Sequence, residues 1–312
     1  MRERVLVTGG AGYIGSMLVP ELLTKGYAVT VVDNFMYKQV SLSHVCADKN
    51  FQILRKDARD ENLMKDLVKK HEYIIPLAAL VGAPLCDRDP LAATSINRDA
   101  IRLLLKQMSK EQKMLIPITN SGYGIGEKNK FCTEESPLKP VSLYGKLKVE
   151  IEKEALDSGK ALSFRLATVF GMSPRMRVDL LVNDFVYRAV NDRAVVLFES
   201  HFKRNYIHVR DVVRVFLHGM SKFGDLKSNA YNVGLSDANL SKRELCEAIH
   251  KKLPQFVFVE APIGKDPDQR DYIVSNERIE KTGYKPQYSL DDGIEELIKG
   301  YQMLKNNSYS NV

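Results

Sequence analysis

The sequence has no run of about 20 apolar residues, the length that a membrane-spanning helix needs. The longest candidate, Tyr73 to Cys86, is too short and is interrupted by Pro76 and Pro84. A secretion leader is not expected either, because Val5-Leu6-Val7 gives way at once to Thr8-Gly9-Gly10. The expected location is therefore the cytoplasm. Cysteine is sparse: Cys46, Cys86, Cys132 and Cys246 lie far apart and form no C-x-x-C pair. That spacing argues against a metal site or a disulfide framework. The formal charge of +7 suits anionic ligands such as dinucleotides and sugar diphosphates. It would equally suit nucleic acid, but no basic tract interleaves with aromatic residues. Internal repeats and low-complexity segments are also missing. What remains, at 312 residues with 44% apolar and 27% charged, is an ordinary globular chain. It fits one large α/β domain, or a nucleotide-binding domain with a smaller partner.

The first half alternates short apolar runs with helical patterns. Strands are expected at Val5–Thr8, Ala28–Val32, Phe51–Lys56, Tyr73–Ile75, Met114–Thr119 and Ala161–Ala167. Helices are expected between them at Tyr13–Lys25, Glu61–Lys70, Leu91–Lys110 and from Leu143, with Ser142 as N-cap and Gly159 near the end. This order implies an α/β fold built on a doubly wound parallel sheet. Residues 1–167 would form the nucleotide-binding domain. Residues 168–312 would form mainly a smaller substrate lobe, with segments near 206–235 returning to the first domain. In this second half, helices are expected at Val178–Asn191, Asp211–Lys222, Ser241–Lys252 and Asp291–Leu304. Short strands are expected near Val195–Phe198, Tyr206–Val209 and Ala230–Val233.

Directly after the first strand stands Thr8-Gly9-Gly10-Ala11-Gly12-Tyr13-Ile14-Gly15. Gly9 permits a tight turn, Gly12 lets backbone approach a pyrophosphate, and Gly15 allows close helix–sheet packing. The helix amino end then offers free N–H groups to phosphate. The second strand ends in Asp33-Asn34. Asp33 is placed to accept hydrogen bonds from an adenosine ribose and to repel a 2′-phosphate, which favours NAD over NADP. Asp57, just past the third strand, meets either the adenine amino group or only solvent.

Tyr144-Gly145-Lys146-Leu147-Lys148 puts a phenol and an ammonium four residues apart on one helix face, with Lys146 facing away. A free tyrosine has a pKa near 10, and reaching the phenolate at cytoplasmic pH costs about 4 kcal/mol. The Lys148 ammonium and the positive nicotinamide ring favour the phenolate, so Tyr144 can take a hydroxyl proton as hydride leaves. The third catalytic member is expected in Thr119-Asn120-Ser121, with Thr119 first and Ser121 second.

Together these motifs resemble the extended short-chain dehydrogenase/reductase family of NAD-dependent nucleotide-sugar epimerases and dehydratases, over nearly the whole chain. The match continues through Leu77-Ala78-Ala79, Asn97, Arg165-Leu166-Ala167-Thr168-Val169-Phe170-Gly171, Arg204-Asn205-Tyr206-Ile207-His208-Val209-Arg210-Asp211, Asn232-Val233-Gly234 and Arg270-Asp271-Tyr272. The resemblance implies a Rossmann-type sheet. It also implies that Tyr13, Ile14, Asn34, Ala58, Leu77, Ala78, Ala79 and Asn97 join the glycine loop around NAD. Arg204 and Arg270 would bind a substrate diphosphate, to which a planar, permanently charged fork is suited. Asn120, Ser121, Arg175 and Asn183 would complete the substrate site. A homodimer packed through the helices near Leu91–Lys110 and Leu143–Asp157 is implied too, with a tetramer as the alternative.

More narrowly, Asn120–Glu127 and Ser173–Arg177 resemble the GDP-heptose 4-dehydrogenase group of bacterial capsule pathways. The family's 4,6-dehydratases carry an Asp-Glu pair after the threonine, for proton removal and delivery. Here Asn120 and Ser121 hold those positions, which disfavours dehydration, and no Cys/His pair for 3,5-epimerisation is evident. A 4-dehydrogenase acting on a GDP-sugar is expected, with a 4-epimerase as the alternative. Outside that chemistry stands a catalytically silent protein that binds nucleotide or RNA.

Overall fold

The computed structural model describes residues 2–38, 40–127, 129–264 and 270–304. Strands β1 (Arg4–Thr8), β2 (Ala28–Asp33), β3 (Phe51–Arg55), β4 (Tyr73–Pro76) and β5 (Lys113–Thr119) are joined by Ala161–Leu166 and Ala230–Val233 in one parallel sheet of seven. Its order is Ala230–Val233, Ala161–Leu166, β5, β4, β1, β2, β3. Alternating side chains supply both faces, which is why the strands read as near-continuous apolar runs. Val5, Val7, Val29 and Val31 pack on one side, and Leu6, Val32, Ile74 and Ile116 on the other.

Among the described residues of the first half stand six α-helices: α1 (Gly15–Thr24), α2 (Glu61–Val68), α3 (Ala83–Arg88), α4 (Pro90–Thr94), α5 (Ala100–Gln107) and α6 (Leu143–Asp157). The first face of the sheet is covered by α1 and the helix Val209–Ser221; the second by α2, α5 and α6. Strand order reverses between β1 and β4, so a crevice opens where the loops after these two strands diverge.

The single helix expected at Leu91–Lys110 is divided. One wide turn of π geometry, Ser95–Asp99, separates α4 from α5. Such bulges often accompany functional sites, and this one carries the fully buried Asn97. Helix α3 is additional to the expected helices and holds Pro84. The proline stands in the first turn, where the missing N–H costs nothing.

The strand near Tyr206–Val209 spans Lys203–His208 and stays outside the main sheet. It pairs in parallel with Thr168–Phe170 and antiparallel with Asn239–Ser241. Two further parallel pairs link Ala194–Leu197 with Val257–Glu260, and Phe131–Cys132 with Ile273–Val274. The second of these brings residues 270–274 beside the segment that follows β5.

A buried ion pair braces that segment. Arg165 donates to Glu152 on α6 at 2.8 Å and to the Tyr123 hydroxyl at 3.1 Å, while Tyr123 donates to Asn232 at 2.7 Å. Glu152→Gln leaves the Arg165 guanidinium buried without its counter-charge, and the expected loss of stability is about 3 kcal/mol. Urea unfolding at neutral pH measures it; a loss below about 1 kcal/mol would show that the charge pair is not what holds the brace.

Candidate active site

The glycine turn is packed to the point where side chains no longer fit. Gly9 has φ +68°, and a Cβ there would lie 2.5 Å from the Ala78 backbone nitrogen. One on Gly15 would lie 2.5 Å from the Gly10 carbonyl oxygen. Gly10, which the motif reading passed over, sits against Val31, with 2.8 Å left for a Cβ. No side chain caps α1, and while Ser16, Met17 and Leu18 N–H donate to the Gly12 and Ile14 carbonyls, no bond among the described residues occupies the N–H groups of Tyr13, Ile14 and Gly15 just ahead of them. This bare turn is a cradle that fits a pyrophosphate.

A cleft of about 770 Å³, open mouth included, runs along the carboxyl ends of β1, β2 and β4. That is the size range of small-molecule sites. Gly9, Gly12, Asp33, Asn34, Asp57, Ala58, Leu77, Ala78 and Ala79 all line it. Asp33 accepts from the Ala11 N–H at 3.0 Å and the Phe35 N–H at 2.8 Å, one bond to each carboxylate oxygen. Burial pushes its carboxyl up, while those two N–H groups and Arg175 pull it down. Asp57 is clasped by Arg59 through contacts of 2.9 and 2.6 Å, which hold its carboxyl below the usual range.

Other residues assigned to the cofactor are near the cleft but do not line it. The Tyr13 phenol turns away to donate to the Gly171 carbonyl at 2.6 Å. Ile14 and Gly15 begin α1 behind the turn. Asn97 accepts from the Leu80 N–H and donates to the Leu80 carbonyl, each at 2.8 Å. Its amide is spent fixing the Leu77–Leu80 wall, so it positions that wall and makes no contact in the cleft.

Two residues expected at the substrate have other neighbours in the structure. Asn183 is fully buried, accepts from Gly171 N–H at 3.0 Å and donates to the Arg177 carbonyl at 2.8 Å. That satisfied amide is a structural tie. Arg175 lies in the cofactor cleft, its guanidinium carbon 3.9 Å from the centre of the Tyr37 ring.

The catalytic cluster forms where α6 meets the end of β5. Ser142 caps α6 by accepting from Gly145 N–H at 3.1 Å, which sets Tyr144 and Lys148 on one face. Lys148 is buried and donates to the Pro117 carbonyl on β5 at 3.1 Å. Burial brings its pKa down to about 8. The Tyr144 phenol is pushed up to about 12 by burial, against the opposing pull of Arg177 and Arg270. This revises the sequence expectation. Helical spacing fixes where the two Cα atoms stand, but the lysine side chain bends to the strand, and two distant arginines supply the cationic field. Arg177 belongs to the quoted Ser173–Arg177 motif, although nothing local marked it as a partner of Tyr144.

Thr119 ends β5. Its hydroxyl donates to Ser121 Oγ at 2.9 Å and accepts from the Ser121 N–H at 3.1 Å. Ser121 Oγ also receives a hydrogen bond from Arg270, so Arg270 does reach the cluster. Arg204 is buried with its guanidinium 5.7 Å from the centre of the Tyr272 ring. Asn120 is almost completely buried, yet neither its Nδ2 nor its Oδ1 has a hydrogen-bond partner among the described residues. Leu80 and Ile96 line the cleft and also pack in the apolar cluster that holds Tyr144, so phenol and cleft share a wall.

Comparison with known proteins decides the class. Residues 5–234 match the model of the NAD dependent epimerase/dehydratase family. The chain belongs to that family. Among its relatives, the UDP-N-acetyl-alpha-D-glucosaminuronate decarboxylase of Bacillus cytotoxicus is 27% identical over 98% of this chain and 100% of its own length. UDP-glucose 4-epimerase 2 of Arabidopsis thaliana is 27% identical over 99% of this chain and 97% of its own. The crystal structure of UDP-glucose 4-epimerase from Thermotoga maritima, with UDP-glucose, superposes with a TM-score of 0.85 at 25% identity, covering 97% of this chain and 100% of that one. As a family member the protein is an NAD-dependent enzyme, and the glycine cradle with Asp33 is where NAD fits. Among the described residues no helix is long and apolar enough to cross a membrane.

Proposed function

We propose that this enzyme oxidises the C4 hydroxyl of a nucleotide-diphosphate sugar, and that its substrate is a GDP-heptose, giving a 4-keto sugar for capsule or surface polysaccharide. The observation that carries this reading is the set of groups at the end of β5. Tyr144, Thr119 and Ser121 provide a base and two hydroxyls for a substrate oxygen, and Asn120, between the last two, is a buried neutral amide with no partner among the described residues. Such a set serves removal of a proton and a hydride from one carbinol. It has no carboxylic acid and carboxylate beside Thr119 to drive elimination of water.

Bound NAD supplies the hydride acceptor. Tyr144 takes the hydroxyl proton, Thr119 and Ser121 orient the oxygen, and Lys148 holds α6 to β5. Arg204 and Arg270 present forks to the diphosphate. The sugar-nucleotide class is supported by relatives that act on UDP-sugars. The choice of GDP-heptose is supported by the resemblance of Asn120–Glu127 and Ser173–Arg177. A second reading, C4 epimerisation with hydride returned to the opposite face, is favoured by the likeness to UDP-glucose 4-epimerases. A homodimer through α5 and α6 completes the proposal; their outer faces carry Arg102, Glu150 and Glu154 in contact at 2.5 to 2.6 Å.

The test is to mix the enzyme with GDP-heptose, follow reduced nicotinamide in the near ultraviolet, and identify the sugar by NMR. A C4 ketone with accumulated reduced cofactor supports the dehydrogenase. A C4-inverted sugar with oxidised cofactor supports the epimerase. NAD binding without hydride transfer to or from GDP-heptose or UDP-glucose would overturn both.

A further inference from the structure

We propose that Arg175 and Tyr37 form a clamp on the dinucleotide: the Arg175 guanidinium binds at its pyrophosphate–adenosine end, and Tyr37 closes residues 34–38 over it. The clamp then slows release of the cofactor. The proposal rests on NAD occupying the cleft described above.

Arg175 comes from the C-terminal half, yet it is buried in the wall of the cofactor cleft together with Gly9, Gly12 and Asp33. Its backbone is anchored to the start of α1. Tyr13 donates its hydroxyl to the Gly171 carbonyl at 2.6 Å, and Ser173 Oγ donates to the Tyr13 carbonyl at 2.7 Å. Ser173 and Ser16 hydroxyls lie 2.9 Å apart, and the Arg175 N–H reaches Ser16 Oγ at 3.4 Å. The guanidinium is thus presented beside the helix turn that the glycine loop feeds into. One of its nitrogens donates to the Met176 carbonyl at 3.0 Å. Its central carbon lies over the Tyr37 ring, a cation–π contact strengthened by exclusion of water.

Tyr37 supplies the second, independent sign of a ligand. Its hydroxyl is buried and has no hydrogen-bond partner among the described residues. A buried hydroxyl left that way is destabilising, and a phosphate or ribose oxygen in the cleft would give it a partner. The loop that carries it is held in shape. Phe35 and Lys38 both sit at φ +55°, in the left-handed region that favours glycine. Asp33 accepts from Phe35 N–H at 2.8 Å, and Ser41 Oγ donates to the Ala11 carbonyl at 2.7 Å. Asp33, Asp179 and Arg177 all act on the Arg175 charge. A dinucleotide pyrophosphate adds the anion that a buried guanidinium beside a helix amino end favours. Arg175 is accordingly a cofactor ligand and not the substrate ligand that its motif suggested.

The experiment compares the wild type with Arg175→Met and Tyr37→Phe. Calorimetry gives NAD affinity, stopped-flow fluorescence gives release of the reduced cofactor, and steady-state kinetics gives KM for the sugar nucleotide. Arg175→Met should release cofactor about 30-fold faster, having lost both stack and charge. Tyr37→Phe keeps the ring, and should release it about fivefold faster. KM for the sugar nucleotide should stay within twofold (about) in both. Unchanged release in both variants, or a large rise in that KM with NAD binding intact, would overturn the clamp alone. A wild type that binds no NAD would overturn the cofactor reading beneath it.

Discussion

Tyr144→Phe should slow hydride transfer about a thousandfold while leaving NAD bound. Phenylalanine keeps the ring in the apolar cluster with Leu80, Cys86 and Leu147, so the fold of α6 has no reason to change. What disappears is the proton acceptor. In the protein alone the phenol is pushed up to about 12, so forming the phenolate at pH 7 costs about 7 kcal/mol. On the proposed reading the chain would hold Tyr144 as an acid, and a positive nicotinamide ring would add to the pull of Arg177 and Arg270. Single-turnover stopped-flow on the sugar nucleotide measures the step. A rate within about tenfold of wild type would remove Tyr144 from the chemistry.

Asp33→Ala should weaken NAD by about 30-fold and NADP by much less. The carboxylate has two tasks. It ties Ala11 N–H and Phe35 N–H together, and so shapes both the glycine turn and the loop that follows β2. It also points lone pairs and negative charge into the cleft, where a 2′-phosphate would be repelled. Asp33→Asn separates the two, because an amide oxygen keeps one backbone contact without the charge. Calorimetry with both cofactors reads the difference. Equal losses for NAD and NADP in Asp33→Ala would mean that Asp33 shapes the loop and does not meet the ribose.

The parts of this molecule governed by short-range pattern were legible in the sequence. Ala230–Val233 and the start of α6 after Ser142 fall where apolar periodicity and capping put them. The glycine turn is packed as its spacing implied, because a Cβ at Gly9 or Gly15 would strike backbone. Elements too short to show a period were missed, among them Phe131–Cys132 and Thr168–Phe170. Side-chain direction was the other blind spot. Asn97 and Asn183 sit in motif positions, but each spends its amide on neighbouring backbone. Lys148 keeps the helical spacing to Tyr144 and still turns to Pro117. Arg175 and Arg177 are two residues apart, yet one enters the cofactor cleft and the other acts on the catalytic phenol. Long side chains carry such choices far from their Cα atoms, and only tertiary packing fixes them.

The central claim is that a phenol on α6 becomes a base when a cationic cofactor fills the neighbouring cleft. An ultraviolet difference titration of wild type against Tyr144→Phe, with and without NAD, examines it directly. Without NAD, no phenolate signal specific to Tyr144 should develop below about pH 10. With NAD bound, one such step should appear at least about two units lower than in the cofactor-free protein. Titrations that coincide with and without NAD would contradict the account.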